Sequence, residues 1–157
     1  DNLPKIKNSK WISIGRLDFK TSGLLIFTTY GEFANRLMHP RYEIEREYSV
    51  RVFGELNENQ LFQLSSGVKL DDGLAKFETI KFKGGEGSNH WYHVVLKEGR
   101  NREVRRIFQF FNITVSRLMR IRFGGITLPS NLKKGSYIEL NQKDVVATLS
   151  KFNINNV

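Results

Sequence analysis

The segment from Glu98 to Asn112, EGRNREVRRIFQFFN, constrains the fold more than any other stretch of this chain. Val104, Ile107, Phe108 and Phe111 recur at i, i+3, i+4 and i+7, one stripe of an α-helix that needs a core to bury it. Arg102, Arg105, Arg106 and Gln109 follow the same spacing on the opposite side. The pattern predicts a helix anchored by its aromatic side that presents three guanidiniums within about two turns on the other. Like charges so placed repel, and a helix with a merely solvated face would interleave Glu for i, i+4 pairs. A rigid row of Arg suits the clamping of phosphates or carboxylates instead, because the planar fork donates two parallel hydrogen bonds.

A second Arg row follows. VSRLMRIRFGGITL reads as a strand, with Arg120 and Arg122 on one face and Met119, Ile121 and Phe123 on the other. Between Lys97 and Arg122 the chain carries eight basic residues, seven of them Arg, against two Glu. The net charge of +9 alone would suit a Lys-rich soluble surface as well as a polyanion binder. The clustering decides for a nucleic-acid partner held in a cationic groove that includes Arg102, Arg106, Arg120 and Arg122. RNA and DNA fit the Arg pattern equally.

The remaining elements are short. WISI (Trp11 to Ile14) and the stretch from Gly23 to Thr29 read as strands, and GEFANRLMHP as a helix with Phe33, Leu37 and Met38 on one apolar side, ended by Pro40. REYSVRVFG alternates Tyr48, Val50 and Val52 against Ser49, Arg51 and Phe53, a half-buried strand. NENQLFQLSSG is a helix between an Asn57 N-cap and Gly67, and residues 74–99 form two strands about a Gly-rich turn. SYIELN reads as a late strand and QKDVVATLSKF as a helix. Many strands, few helices and no βαβ rhythm predict an α+β fold with a largely antiparallel sheet. The length suits one domain over residues 1–157, with 1–10 as a lead-in and 141–157 as a C-terminal tail.

Composition removes several chemistries. The chain has no Cys, so thiolate catalysis, thiolate metal sites and disulfides are out, and a reducing cytoplasm is the expected compartment. His39, His90 and His93 lack zinc-like spacing, and His90 and His93 fall on opposite faces of a strand; no metal is expected. No apolar run reaches membrane-spanning length and no signal peptide precedes Asp1, so no membrane partner is expected either.

One acid stands out. In GRLDFKTSGLLIFTTYGEF, Asp18 sits in a polar turn at the mouth of an apolar strand, two residues after Arg16. By itself such an Asp is more often a turn or cap residue than a nucleophile, just as Tyr48 alone is more often a strand aromatic filling the core and Arg105 a surface ion-pair partner.

GRLDFKTSGLLIFTTYGEFANRLMHP and EGRNREVRRIFQFFN…RLMRIRFGGITL together resemble the signature segments of the RsuA-type pseudouridine synthases, and the resemblance runs from about Leu3 to about Leu140. It implies a pseudouridine synthase fold, a bent, mostly antiparallel sheet with flanking helices and a central basic cleft. It implies cofactor-free isomerisation of uridine to pseudouridine in ribosomal RNA, with the nucleotide flipped out of its stack. The family's nucleophile falls on Asp18, its active-site Tyr on Tyr48 and the Arg that pairs with the nucleophile on Arg105. Leu118 corresponds to an apolar residue under the base, and Arg16 to a position that assists base flipping. The implied partner is a 23S rRNA stem-loop, and the default state is a monomer. The family's usual S4-type RNA-binding domain and basic tail do not accompany this stretch, so the expectation is weak, strongly salt-dependent RNA binding by this piece.

Two rivals stay open at this point. One is a non-catalytic rRNA-binding or ribosome-assembly module that needs the Arg residues and not Asp18. The other is an RsuA-type synthase directed to a different rRNA uridine.

Overall fold

A computed structural model describes residues 3–152. Three short strands, β1 (Ile12–Ile14), β2 (Ser22–Gly23) and β3 (Ile26–Thr28), lead into helix α1 (Gly31–Met38). The chain continues through β4 (Arg46–Phe53), α2 (Glu58–Ser66) and the small hairpin β5 (Val68–Leu70) and β6 (Gly73–Ala75). The long hairpin β7 (Thr79–Glu86) and β8 (Asn89–Leu96) follows, then α3 (Glu103–Gln109), β9 (Thr114–Phe123), β10 (Ile126–Thr127) and α4 (Gln142–Lys151).

β4 is the spine of the main sheet. It pairs antiparallel with β8 on one side and β9 on the other, and the path runs β10-β9-β4-β8-β7. This is the expected α+β architecture with a mostly antiparallel sheet. The exception is β2, which lies parallel to β9, Ser22 opposite Met119 and Gly23 opposite Arg120. The strand expected from Gly23 to Thr29 is therefore two strands, because β3 leaves to pair antiparallel with β1. Gly23 makes the break possible: its φ is +107°, and a Cβ there would overlap the backbone of Arg120.

Two cores result. Val50, Val52, Tyr92 and Val94 of the sheet meet Val104, Ile107 and Phe108 of α3 and Leu64 of α2. Phe108 stacks at 5.5 Å from Phe77 and 6.2 Å from Tyr92, and each such buried side chain contributes about 1.5–3 kcal/mol. The second core joins Ile14, Leu24, Phe33, Leu37 and Leu149, with Phe123 reaching in from β9. The predicted stripe of α3 is thus the anchor of the first core. The Asn57 cap is present as a capping box with Gln60.

Three readings need correction. SYIELN forms no strand; Tyr137, Ile138 and Leu140 are exposed and have no ladder partner. Met38 is exposed instead of joining Phe33 and Leu37. Ile121 forms a bulge between Glu47 and Tyr48 of β4, which reverses the alternation of β9: Arg120 and Phe123 are buried and Met119 is exposed. Of the lead-in and the tail, residues 1–2 and 153–157 lie outside the described residues. No helix among the described residues is long and apolar enough to cross a membrane.

Candidate active site

Asp18 opens a turn closed by the Thr21 amide, which donates to the Asp18 carbonyl at 3.0 Å. The side chain is held within that turn. Its Oδ1 accepts from the Lys20 amide at 3.0 Å and from Thr21 Oγ1 at 2.8 Å, a local pattern that Asp adopts readily. Among the described residues Oδ2 takes no hydrogen bond, and it faces Arg102 Nη1 at 4.0 Å. One oxygen is fixed in the turn and the other is not.

Burial pushes the Asp18 carboxyl up, but the hydrogen bonds from Thr21 and Lys20 and the charges of Arg105 and Arg102 outweigh it, so its pKa lies below the usual value. The group stays an anion at neutral pH.

Arg105 acts from behind. Its Nη2 donates to the Lys20 carbonyl at 2.9 Å and its Nη1 to the Val115 carbonyl at 3.4 Å. The guanidinium within 4.0 Å of the carboxylate is Arg102's, so Arg105 steers Asp18 through the turn and through its charge. Arg102 caps α3 in the left-handed region, φ 52°. Glu103 holds that cap from below: buried, it accepts from the Arg100 amide at 3.0 Å and from Arg100 Nη2 at 3.2 Å.

A cleft of about 860 Å³ lies in front of Oδ2, and Asp18, Arg16, Tyr48, Leu118, Arg102 and Arg120 all line it. Tyr48 sits directly across from Arg120 and Val50 across from Leu118, so the sheet register sets the cleft's back wall. The Tyr48 hydroxyl makes no hydrogen bond among the described residues. Arg120 is buried; its Nε donates to the Leu24 carbonyl at 2.9 Å, while Nη2 has no partner there.

The two Arg rows do not form one clamp. Arg106 turns away and is gripped in a fork by Asp72, at 2.8 and 3.0 Å. Arg122 is placed beyond the Ile121 bulge, on Glu47 and Glu45 at 3.0 and 3.2 Å. Neither lines the cleft. Sequence reasoning missed Thr21 and Arg46. Thr21 is marked by the Asp-x-x-Thr spacing of a capped turn. Arg46, at period two from Tyr48, lines the cleft with its guanidinium 5.0 Å over the Phe123 ring. Among the described residues no group of three His, Cys, Asp or Glu stands close enough to hold a metal ion.

A sequence profile of the RNA pseudouridylate synthase family matches residues 1–110, which include Asp18, Tyr48 and Arg105. The chain belongs to that family. Within the pseudouridylate synthases it is 60% identical over 145 residues to ribosomal large subunit pseudouridine synthase B of Vibrio vulnificus, covering 92% of this chain and 45% of that protein. It is 58% identical over 141 residues to the protein of the same name from Escherichia coli K12, covering 90% and 48%. The chain therefore spans about half the length of these relatives. A crystal structure described as a pseudouridylate synthase superposes with a TM-score of 0.76 at 27% identity, over 91% of this chain and 60% of that one. A chain of an H/ACA RNP bound to a substrate RNA containing 2′-deoxyuridine shares the fold at a TM-score of 0.58 and 21% identity, over 75% of this chain and 40% of that one.

Proposed function

We propose that this chain is the catalytic domain of an rRNA pseudouridine synthase that isomerises one uridine of a 23S rRNA stem-loop. The reading rests on one observation above the rest: a carboxylate with one oxygen tied into its turn and the other facing a cationic cleft lined by an aromatic and a leucine. The relatives' names, which specify the large ribosomal subunit, support the substrate.

The reaction exchanges the N1–C1′ bond of uridine for a C5–C1′ bond. The proton on C5 leaves and N1 gains one, so the product is an isomer and the balance requires no oxidant or cofactor. Asp18 is the nucleophile: Oδ2 attacks as the anion, and the bond it forms to the nucleotide breaks again when the C5–C1′ bond is in place, which regenerates the carboxylate. Arg102 and Arg105 hold that anion against desolvation as the cleft fills. Turning the nucleotide out of its stack costs a few kcal/mol, and a loop or bulge uridine costs least. Tyr48 and Leu118 return part of that cost by sandwiching the uracil, and Arg16 fills the place the base vacates. Arg120 Nη2 supplies a donor for an oxygen of the nucleotide. The working species is a cytoplasmic monomer.

Mapping pseudouridine in unmodified 23S rRNA by carbodiimide labelling and primer extension tests this reading. The parent chain gives one new stop, and Asp18→Asn gives none while still binding RNA. Binding without a stop from either chain would leave an rRNA-binding module in its place. A stop in 16S rRNA would move the target to the other subunit.

A further inference from the structure

The main sheet has a second face. On β4, β8 and β9 the core positions Val50, Tyr92 and Leu118 alternate with Arg51, Trp91 and Arg117, and these three stand side by side across the strands. Lys81 and His93 are opposed in the next row. The β7–β8 ladder is bulged between Phe82 and Gly85, where a Cβ on Gly85 would collide with the Asn89 carbonyl and the His90 ring. A groove of about 410 Å³ lies at this bulge, lined by Arg51, Lys83, Glu86, Asn89 and Trp91 among others. It shares no residue with the catalytic cleft.

Charge, shape and hydrogen bonding point to one kind of occupant. Lys81, Lys83, Arg51 and Arg117 form no ion pair among the described residues, in contrast to Arg106 and Arg122, which are neutralised by acids. Glu86 is the acid in the groove's lining, and it leaves the face with a cationic excess. Arg51 Nε donates to Ser116 Oγ at 2.9 Å, which holds its guanidinium 5.8 Å from the Trp91 ring centroid, and its terminal nitrogens make no hydrogen bond among the described residues. Trp91 is half-buried and lines the groove, so its ring is a stiff, partly accessible platform. Asn89 Oδ1 is buried without a partner at the same groove, an acceptor for an N–H of a planar ligand. An acidic peptide would use the charges alone. A nucleotide uses the charges, the ring and the acceptor together.

We propose that this face is a second RNA-binding site, opposite the catalytic cleft, that takes a single-stranded stretch with its phosphates on Lys83, Arg51 and Arg117 and one base on Trp91. Its place behind the sheet means that it holds a part of the RNA remote from the nucleotide in the cleft. The choice of RNA rests on the family; the site itself does not depend on Asp18 being a nucleophile.

The chain has two tryptophans, so a Trp11→Phe variant reports Trp91 alone. Titration of that variant with a uridine decamer should quench the fluorescence, with log K falling on log salt with a slope of about −2 for three phosphates on a single strand. Adding Lys83→Glu and Arg117→Glu should weaken binding at least tenfold and flatten the slope by about 1.4. Arg102→Glu, in the cleft, should leave the quenching unchanged. Lys83→Gln alone, at an exposed position of the hairpin, should weaken binding about threefold and serves if the double variant does not fold. Absent quenching, or quenching equal in the parent and both groove variants, would overturn the proposal. So would displacement of the decamer by polyglutamate as effectively as by RNA, which would make the face a docking site for acidic protein. A parent chain that is quenched but forms no pseudouridine would refute the catalytic reading and leave this one standing.

Discussion

Arg105 Nη2 donates to the carbonyl oxygen of Lys20 at 2.9 Å, and through that bond helix α3 carries the turn that aims Asp18. The two residues are 85 apart in the chain. The contact turns the helix stripe predicted from sequence into a positioning device, since Val104, Ile107 and Phe108 fix the helix and Arg105 fixes the turn.

Replacing Arg105 therefore acts on aim as well as on charge. Arg105→Met should lower the rate of pseudouridine formation about 100-fold, the scale of an ångström of misplacement. It should also cost about 2 kcal/mol in urea unfolding, the scale of a charged hydrogen bond. Arg105→Lys keeps the charge but cannot span the Lys20 and Val115 carbonyls, and should recover less than half of the lost activation free energy.

Thr21→Val keeps the shape of the turn and removes the 2.8 Å bond to Asp18 Oδ1. The parent Asp18 has a depressed pKa, so its contribution to stability is present above the ordinary value of 3.8 and is lost as pH falls through the folded value. The variant pKa rises, so both the acid limb of the pH–rate profile and the acid loss of stability should move to higher pH. A profile that superposes on the parent's would show that Thr21 does not tune Asp18.

Glu103 gives the opposite sign. Burial, foremost, and its hydrogen bond with Glu98 raise its pKa to about 7. Stability from the bound proton is complete below the ordinary value of 4.5 and is lost as pH rises through about 7. The urea midpoint should fall between pH 6 and pH 8 in the parent and stay level in Glu103→Gln, whose amide keeps a donor for Glu98.

At Gly23 the test is steric. An alanine there meets the Arg120 backbone at a φ of +107°, so Gly23→Ala should cost about 3 kcal/mol by denaturant unfolding. Activity should fall further than occupancy of the folded state explains, because β2 is the link between the Asp18 turn and Arg120.

Local rules made much of this legible in the sequence. The α3 stripe, the Asn57 cap and the β7–β8 hairpin follow from spacing and turn chemistry within a few residues. Asp18 gained meaning only from the motifs it shares with a family. What stayed hidden depends on partners far along the chain. Arg106 read as a free cation because Asp72, 34 residues earlier, gives no local sign of reaching it. The Ile121 bulge belongs to the pairing of β4 and β9, and a strict period of two cannot foresee a skipped residue. SYIELN has a strand's composition, but a strand exists only where another strand offers a ladder. Arg46 went unnoticed because burying a guanidinium depends on Phe123, which lies on another strand.

The parallel step of β2 on β9 also sets a schedule. Leu24 and Arg120 are separated by 96 residues, so during synthesis the Asp18 turn emerges about 5–20 s before the strand it must lean on. Over that interval the nascent chain has its acid but no wall behind it, and the loop that will deliver Arg102 is not yet made. The surroundings of Asp18 are thus incomplete until nearly the whole domain has been synthesised, and the order in which the strands arrive sets when they close.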